Sequence, residues 1–238
     1  MTRELAPGIH HVIRGFVNAF LVEADDGLTI VDSGLPRRPD RFLASIRALG
    51  REPDDVRSIL ITHHHVDHRA GLAALSAVTA ATVFAPAVDA DIIRGERPPP
   101  RPNPPTRVGR LVASIEERVA PDVEPAKVDH DVVDGETLPV AGGVLAIHTP
   151  GHTAGQTSYL LPRDGGILFV GDAAGTLLGR PSPPVRGIAA LFTEDRDEAR
   201  RSFRKLAAFE FEVALVGHGR PMLQGAAERI RAKAGRLG

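Results

Sequence analysis

Short apolar runs, cut by turn residues, fill the start of the chain. Residues 9–13, 18–22 and 28–31 read as strands, broken at Gly15 and at Asp25-Asp26-Gly27. The Asp-Gly step closes the last two runs into a hairpin, because that pair tolerates the backbone angles of a tight turn. The period then lengthens. Over residues 39–49, Phe42, Leu43, Ile46 and Leu49 form one stripe at helical spacing, and Gly50 is a C-terminal stop. A strand follows at 58–61, then a helix at 70–78, a strand at 82–85 and a helix from Pro86 to Arg94, with proline opening its first turn.

The pattern breaks after Gly95. Six prolines in residues 95–106 forbid a regular helix or a central strand there, and predict an extended loop. An amphipathic helix comes next, with Val108, Leu111, Val112, Ile115 and Val119 on one face. This Pro-rich insert, about residues 95–120, reads either as a surface connector or as a lid beside an active-site mouth. Residues 128–133, 136–140 and 144–149 are predicted strands, and 158–161 and 167–170 a hairpin. Residues 173–192, containing Pro181, Pro183 and Pro184, are predicted irregular. Thr193 is expected to cap a helix carrying Ala199, Phe203, Leu206 and Ala207, and the chain closes with a strand at 213–216 and a short helix through Ile230.

No composition break divides the 238 residues, which predicts a single domain over 1–238 with a substantial core. A net charge of −1 lacks the basic excess of a nucleic-acid binder, so no nucleic-acid partner is expected. The three lysines, Lys127, Lys205 and Lys233, are greatly outnumbered by arginines, a habit of composition without functional content. With no cysteine, disulfides, thiolate nucleophiles and zinc–thiolate sites are excluded. The opening Met-Thr-Arg-Glu-Leu-Ala-Pro lacks the apolar core of an export signal, and no apolar run approaches membrane-spanning length. The expectation is a cytoplasmic protein with no membrane partner; the oligomeric state stays open, a homodimer included. No GxGxxG, GxxxxGK or GxSxG signature competes for the chemistry.

The chemistry is concentrated in Thr62-His63-His64-His65-Val66-Asp67-His68, between a predicted strand and a predicted helix. Alternate residues of an extended stretch project the same way, so His63 and His65 converge, and the tighter turn after Val66 swings Asp67 and His68 toward a neighbouring point. Downstream stand Thr149-Pro150-Gly151-His152, Val170-Gly171-Asp172 and Gly217-His218-Gly219, each near a predicted strand end. A carboxylate at a buried strand end such as Asp172 is costly unless it meets a positive charge. Asp32, in Asp32-Ser33-Gly34, reads either as turn chemistry or as a carboxylate orienting a ligand histidine through its free N–H.

On these segments the chain resembles the metallo-β-lactamase-fold hydrolases, including their glyoxalase II-like and lactonase-like branches. The resemblance runs from about Val12 to Pro221. It implies a four-layer α/β/β/α sandwich, two mixed β-sheets face to face with helices outside and metals at one edge. It implies one metal site of His63, His65 and His152, a second of Asp67, His68 and His218, and Asp172 as the bridge; it favours the orienting role for Asp32. Two divalent ions follow, Zn²⁺ first and Fe or Mn as alternatives, since nitrogen and carboxylate oxygen suit all three. The implied activity is hydrolysis of a small ester, thioester, lactone or lactam by a metal-bound hydroxide, with Asp67 the catalytic residue that accepts or relays a proton. Two such ions outweigh Asp67, Asp172 and one hydroxide by a single positive charge, which predicts a preference for substrates bearing a carboxylate or another oxygen donor. His64 should point away from the metals, and His10, His11, His130 and His148 are expected to be structural or solvated.

Particular residues narrow the substrate. Only residues 220–238 follow the last expected ligand, whereas glyoxalase II-like enzymes carry an extra C-terminal binding region. Ala173-Ala174-Gly175 stands where lactonases of this fold often place a tyrosine, and Tyr159 is the one tyrosine of the chain. Two other classes remain: a mono-iron persulfide dioxygenase-like oxidoreductase, which uses a subset of the same positions, and a non-catalytic metal-binding module.

Overall fold

The computed structural model describes residues 2–13, 15–35, 39–101, 111, 123–177, 179–185 and 189–237. A seven-stranded mixed sheet runs in chain order through β1 (Arg3–Ala6), β2 (Ile9–Ile13), β3 (Ala19–Ala24), β4 (Gly27–Val31), β5 (Val56–Leu60), β6 (Thr82–Pro86) and β7 (His130–Val132). The first four strands are antiparallel, and β4 to β7 pair in parallel. The second sheet contains β8 (Thr137–Leu138), β9 (Val144–His148), β10 (Thr157–Leu161), β11 (Ile167–Gly171) and β14 (Val213–Val216), in the order β14-β11-β10-β9-β8. A separate two-stranded ribbon pairs β12 (Gly175–Leu177) with β13 (Arg180–Ser182).

Side-chain alternation builds the layers. Phe20 and Val22 of β3 face the second sheet while Leu21 faces the opposite way; Leu60 of β5 faces inward and Ile59 outward. On β11, Ile167 and Phe169 meet the first sheet, and Leu168 and Val170 turn away. Strands buried on both faces read as continuous apolar runs, which is why the pattern gives these segments without assigning their faces. The outward residues of the first sheet are covered by α1 (Pro39–Ala48), α3 (Leu72–Val78) and α4 (Ala87–Ile93), through Phe42, Ile46, Leu72, Leu75, Ala90 and Ile93. Those of the second sheet meet α5 (Arg196–Leu206) and α6 (Ala226–Ala234), through Phe203, Leu206 and Ile230. Helix, sheet, sheet, helix is the predicted four-layer α/β/β/α architecture. Burying each such Val, Leu, Ile or Phe contributes about 1.5–3 kcal/mol relative to its exposed state.

Several local expectations change. The helix predicted at 70–78 is α3, and a separate helical turn, α2 (Val66–Arg69), precedes it; between the two, Gly71 passes so close to Ser33 that a Cβ there would overlap its carbonyl oxygen. Thr193 does not cap α5. Asp195 does, accepting from the N–H groups of Asp197 at 2.9 Å and Glu198 at 2.8 Å. The β12–β13 ribbon lies in the segment expected to be irregular; Pro181 is tolerated because the ribbon has only two strands and no interior ladder to break. Strand β1 is too polar to register as an apolar run. The amphipathic helix expected after residue 107, and most of the Pro-rich insert, lie outside the described residues. Among the described residues no helix is long and apolar enough to cross a membrane.

Candidate metal centre

Strand polarity gathers the candidates at one edge. Strands β4 and β5 are parallel, as are β11 and β14, and β9 runs with β11 because both are antiparallel to β10. Asp32, residues 62–68, His152, Asp172 and His218 all follow the C-terminal ends of these strands. The loop between β2 and β3 turns at the same end, since β3 is antiparallel to β4. An open depression of about 880 Å³ among Glu23, Asp26, Arg51, Thr137 and Arg163 lies at the other end of the strands, and none of the seven expected ligands lines it.

Asp32 begins the construction. Its backbone sits at φ 59°, a left-handed conformation uncommon outside glycine. The buried carboxylate accepts from Thr62 N–H at 2.8 Å, from Thr62 Oγ1 at 2.9 and 3.0 Å, and from His68 Nδ1 at 2.7 Å. Because the Thr62 hydroxyl spends its one proton on Asp32, it accepts from His63 Nδ1, 3.1 Å away. In their neutral forms both imidazoles thereby keep the proton on Nδ1 and turn a bare Nε2 inward. His218 gives its Nδ1–H to the carbonyl of Phe16 at 2.5 Å. His152 places Nδ1 3.2 Å from Thr193 Oγ1, whose own proton is directed to the carbonyls of Pro184 at 2.6 Å and Ala189 at 2.9 Å. Thr193, expected as a helix cap, thus orients a histidine.

The inward nitrogens converge. His63, His65 and His152 offer ligand atoms within 4.8 Å of one another, as do Asp67, His68 and His218, and also His63, His68 and Asp172. Asp172 reaches both of the first two groups. Its Oδ2 lies 3.1 Å from His152 Nε2 and 3.3 Å from His218 Nε2, and its Oδ1 lies 3.5 Å from His68 Nε2. Asp67 Oδ2 is 3.2 Å from His218 Nε2, and His65 Nδ1 is 2.9 Å from His152 Nε2. Among the described residues, His63 Nε2, His68 Nε2 and Asp172 Oδ1 find no hydrogen-bond partner, although all three are buried. An orphaned buried polar atom costs about 1–3 kcal/mol, so three of them aimed at one spot call for a cation. A divalent ion fits this nitrogen-and-carboxylate donor set.

Charge in the metal-free protein agrees. Burial pushes the His63 and His65 imidazolium pKa values well down, and their neighbouring imidazoles add to the effect. Burial also pulls on His68, but Asp32, Asp172 and Asp67 outweigh it and hold it at about 9. For His218 burial is likewise overcome, by Asp172 and Asp67, to about 11. Burial would raise the Asp67 carboxyl, yet His68 and His218 bring it to about 2, and His68, His152 and His218 hold Asp172 well below the carboxylate range. At pH 7 the protons on His68 and His218 therefore occupy positions a metal ligand must vacate. Metal uptake at pH 7 is expected to release two to three protons per chain, two from His68 and His218 and up to one from water whose pKa the ions would lower to about 7, with affinity rising as pH climbs toward 9. Calorimetry in buffers of different ionisation enthalpy reads that number, and uptake without proton release would contradict it.

The remaining histidines stand apart. His64 points away, its Nδ1 3.1 Å from buried Asp89 Oδ2. His10 pairs with Glu23, His11 with Asn18 and His130 with Glu136, while His148 Nε2 lies 2.9 Å from the carbonyl of Ala154. Sequence reasoning missed Thr62, Thr193, Asp89, Asn18 and the Phe16 carbonyl. Only Thr62, adjoining the histidine run, had a local signal.

A four-layer sandwich with a histidine–aspartate cluster of this kind at its strand ends is the frame of a metal-dependent enzyme. The sequence model of the metallo-beta-lactamase superfamily matches residues 12–218, and the chain belongs to that family. It is 27% identical over 231 residues to the probable metallo-hydrolase YflN of Bacillus subtilis, covering 92% of this chain and 86% of that protein. A hydroxyacylglutathione hydrolase of Pseudomonas aeruginosa is 31% identical over 181 residues, which cover 75% of this chain but 51% of that enzyme. BJP-1, a subclass B3 metallo-beta-lactamase of Bradyrhizobium japonicum, superposes with a TM-score of 0.71 at 23% identity, over 99% of this chain and 90% of the other; that likeness is one of fold.

Proposed function

We propose that this chain, acting as a single domain, is a dinuclear, zinc-dependent hydrolase of small esters or thioesters, lactones and lactams being the neighbouring classes. The observation that carries the reading is the position of Asp172, within 3.1–3.5 Å of histidines from both ligand groups. In this reading His63, His65 and His152 hold one ion, Asp67, His68 and His218 the other, and Asp172 lies between. When bound, the pair supplies Lewis acidity toward a carbonyl oxygen and lowers the pKa of water to about 7.

The protein's own contribution is orientation and proton traffic. Asp32, Thr62, Thr193 and the Phe16 carbonyl engage Nδ1 of four imidazoles and so leave Nε2 as the ligand atom once His68 and His218 have given up their second proton. Asp67, less buried than Asp172, is placed to accept a proton from the attacking water and pass it to the leaving group. Thioesters lead the assay order. Hydroxyacylglutathione hydrolases are among the relatives, and an atrochrysone carboxyl ACP thioesterase of Aspergillus fumigatus is 26% identical over 204 residues; the chain spans about half the length of each.

A panel of thioesters, esters, lactones and β-lactams, run with zinc-loaded and chelator-stripped protein, tests the proposal. Hydrolysis of at least one carbonyl class by the loaded form alone is the expected result, with carboxylate-bearing members turned over faster than neutral analogues. Equal rates with and without metal would overturn it.

A further inference from the structure

His218 is the last of the seven expected ligands along the chain. It follows the edge strand β14, and its side chain is 31% exposed. The loop is nevertheless pressed close to the site: a Cβ on Gly217 would overlap Asp172 Oδ1 and His68 Cε1, and Gly217 N–H donates to the Gly171 carbonyl at 2.8 Å. On another side stands the β12–β13 ribbon, where Thr176 N–H meets the His218 carbonyl at 3.2 Å and a Cβ on Gly219 would overlap Thr176. A third side is closed by one buried residue from the other end of the chain, Asn18.

Asn18 makes four hydrogen bonds, three of them to this loop. Its backbone N–H donates to the Gly217 carbonyl at 2.8 Å. The side-chain Nδ2 donates to the carbonyls of Val216 at 2.8 Å and Gly219 at 2.9 Å, so one amide brackets His218 from both sides. Two carbonyls can be met only by the NH₂ group, which fixes the amide's orientation and turns Oδ1 toward His11 Nε2 at 2.9 Å. His11 must then carry its proton on Nε2. Two residues before Asn18, the Phe16 carbonyl takes the Nδ1–H of His218.

We infer that Asn18 is a positioning residue for the His218 side of the centre, acting through the Val216–Gly219 backbone to keep His218 Nε2 within reach of Asp67 and Asp172. The inference rests on the two-ion reading. Losing such an outer partner weakens metal binding about 10–100-fold. The effect should fall on the uptake step that His218→Ala removes and leave the other unchanged.

The test titrates metal-free wild type, Asn18→Ala, Asn18→Asp and His218→Ala with zinc against a chromophoric chelator. Cobalt(II) spectra identify each step, and circular dichroism of the metal-free proteins controls for folding. Two steps in the wild type, with the His218-dependent one weakened in Asn18→Ala and weakened further in Asn18→Asp, is the expected result. That order separates donation from packing. Aspartate has the shape of asparagine but would set a carboxylate oxygen against two carbonyls, so a packing role makes it the milder change. Wild-type affinities at both steps in Asn18→Ala, or tighter binding by Asn18→Asp than by Asn18→Ala, would overturn the inference. Should the aspartate variant not fold, the alanine variant decides alone. A single uptake step in the wild type would overturn the two-ion reading itself and this inference with it.

Discussion

Asp172→Ala is expected to abolish hydrolysis and to empty both metal positions together. Among the described residues Asp172 is the one carboxylate within 3.5 Å of histidines from both ligand groups, and its Oδ1 has no hydrogen-bond partner there to replace what a cation supplies. Losing a group behind the ligands weakens metal binding about 10–100-fold, so losing a ligand shared by both ions should exceed 100-fold. In the metal-free protein the same carboxylate helps keep His68 and His218 protonated, after burial has pulled the other way. The variant should therefore also shift the proton count of any residual uptake. Equilibrium dialysis with elemental analysis, beside the thioester rate, checks this. Retention of one ion at wild-type affinity would show that Asp172 serves one position only.

Asp32→Ala carries the second large effect. The side chain is buried, and its removal leaves Thr62 N–H, Thr62 Oγ1 and His68 Nδ1 without their acceptor. Breaking one side of a buried ion pair costs about 3–5 kcal/mol. Part of that loss depends on pH. His68 has its folded-state pKa raised from 6.5 to about 9, so the attraction of its protonated ring to the surrounding carboxylates stabilises the metal-free protein fully below pH 6.5. That contribution fades as pH rises through 9. The melting-temperature gap between metal-free wild type and Asp32→Ala should thus be widest near pH 6 and narrow by pH 9.5. The residue is the lost pair of Thr62 bonds, which do not titrate. A gap that widens with pH would contradict the pairing. Metal affinity of the variant should drop about 10–100-fold, because His68 loses the acceptor that fixes its tautomer.

What the sequence made legible follows the range of the interactions. The clustering of His63, His65, Asp67 and His68 is local, six residues joining a strand to a helix, and spacing alone predicts two convergence points. His152, Asp172 and His218 lie at the ends of apolar strands, so the parallel topology carries them to one edge. The groups that hold these residues were not legible. Thr193 is 41 positions from His152 and Asn18 about 200 from Gly219, and neither has a pattern at its own position. Thr193 and Asp195 are both good cap residues by type, and the chain uses the second because the first is committed to His152 and to two backbone carbonyls. Asp32 carries features of both readings: its backbone is left-handed, as turn chemistry allows, and its carboxylate lies 2.7 Å from His68 Nδ1.

Metal content tests the central claim most directly. Elemental analysis of protein purified without added metal, with His218→Ala beside it, is predicted to give about two zinc per chain, falling toward one in the variant. One iron per chain, unchanged by His218→Ala, would contradict a dinuclear hydrolase and leave His218 outside the metal centre.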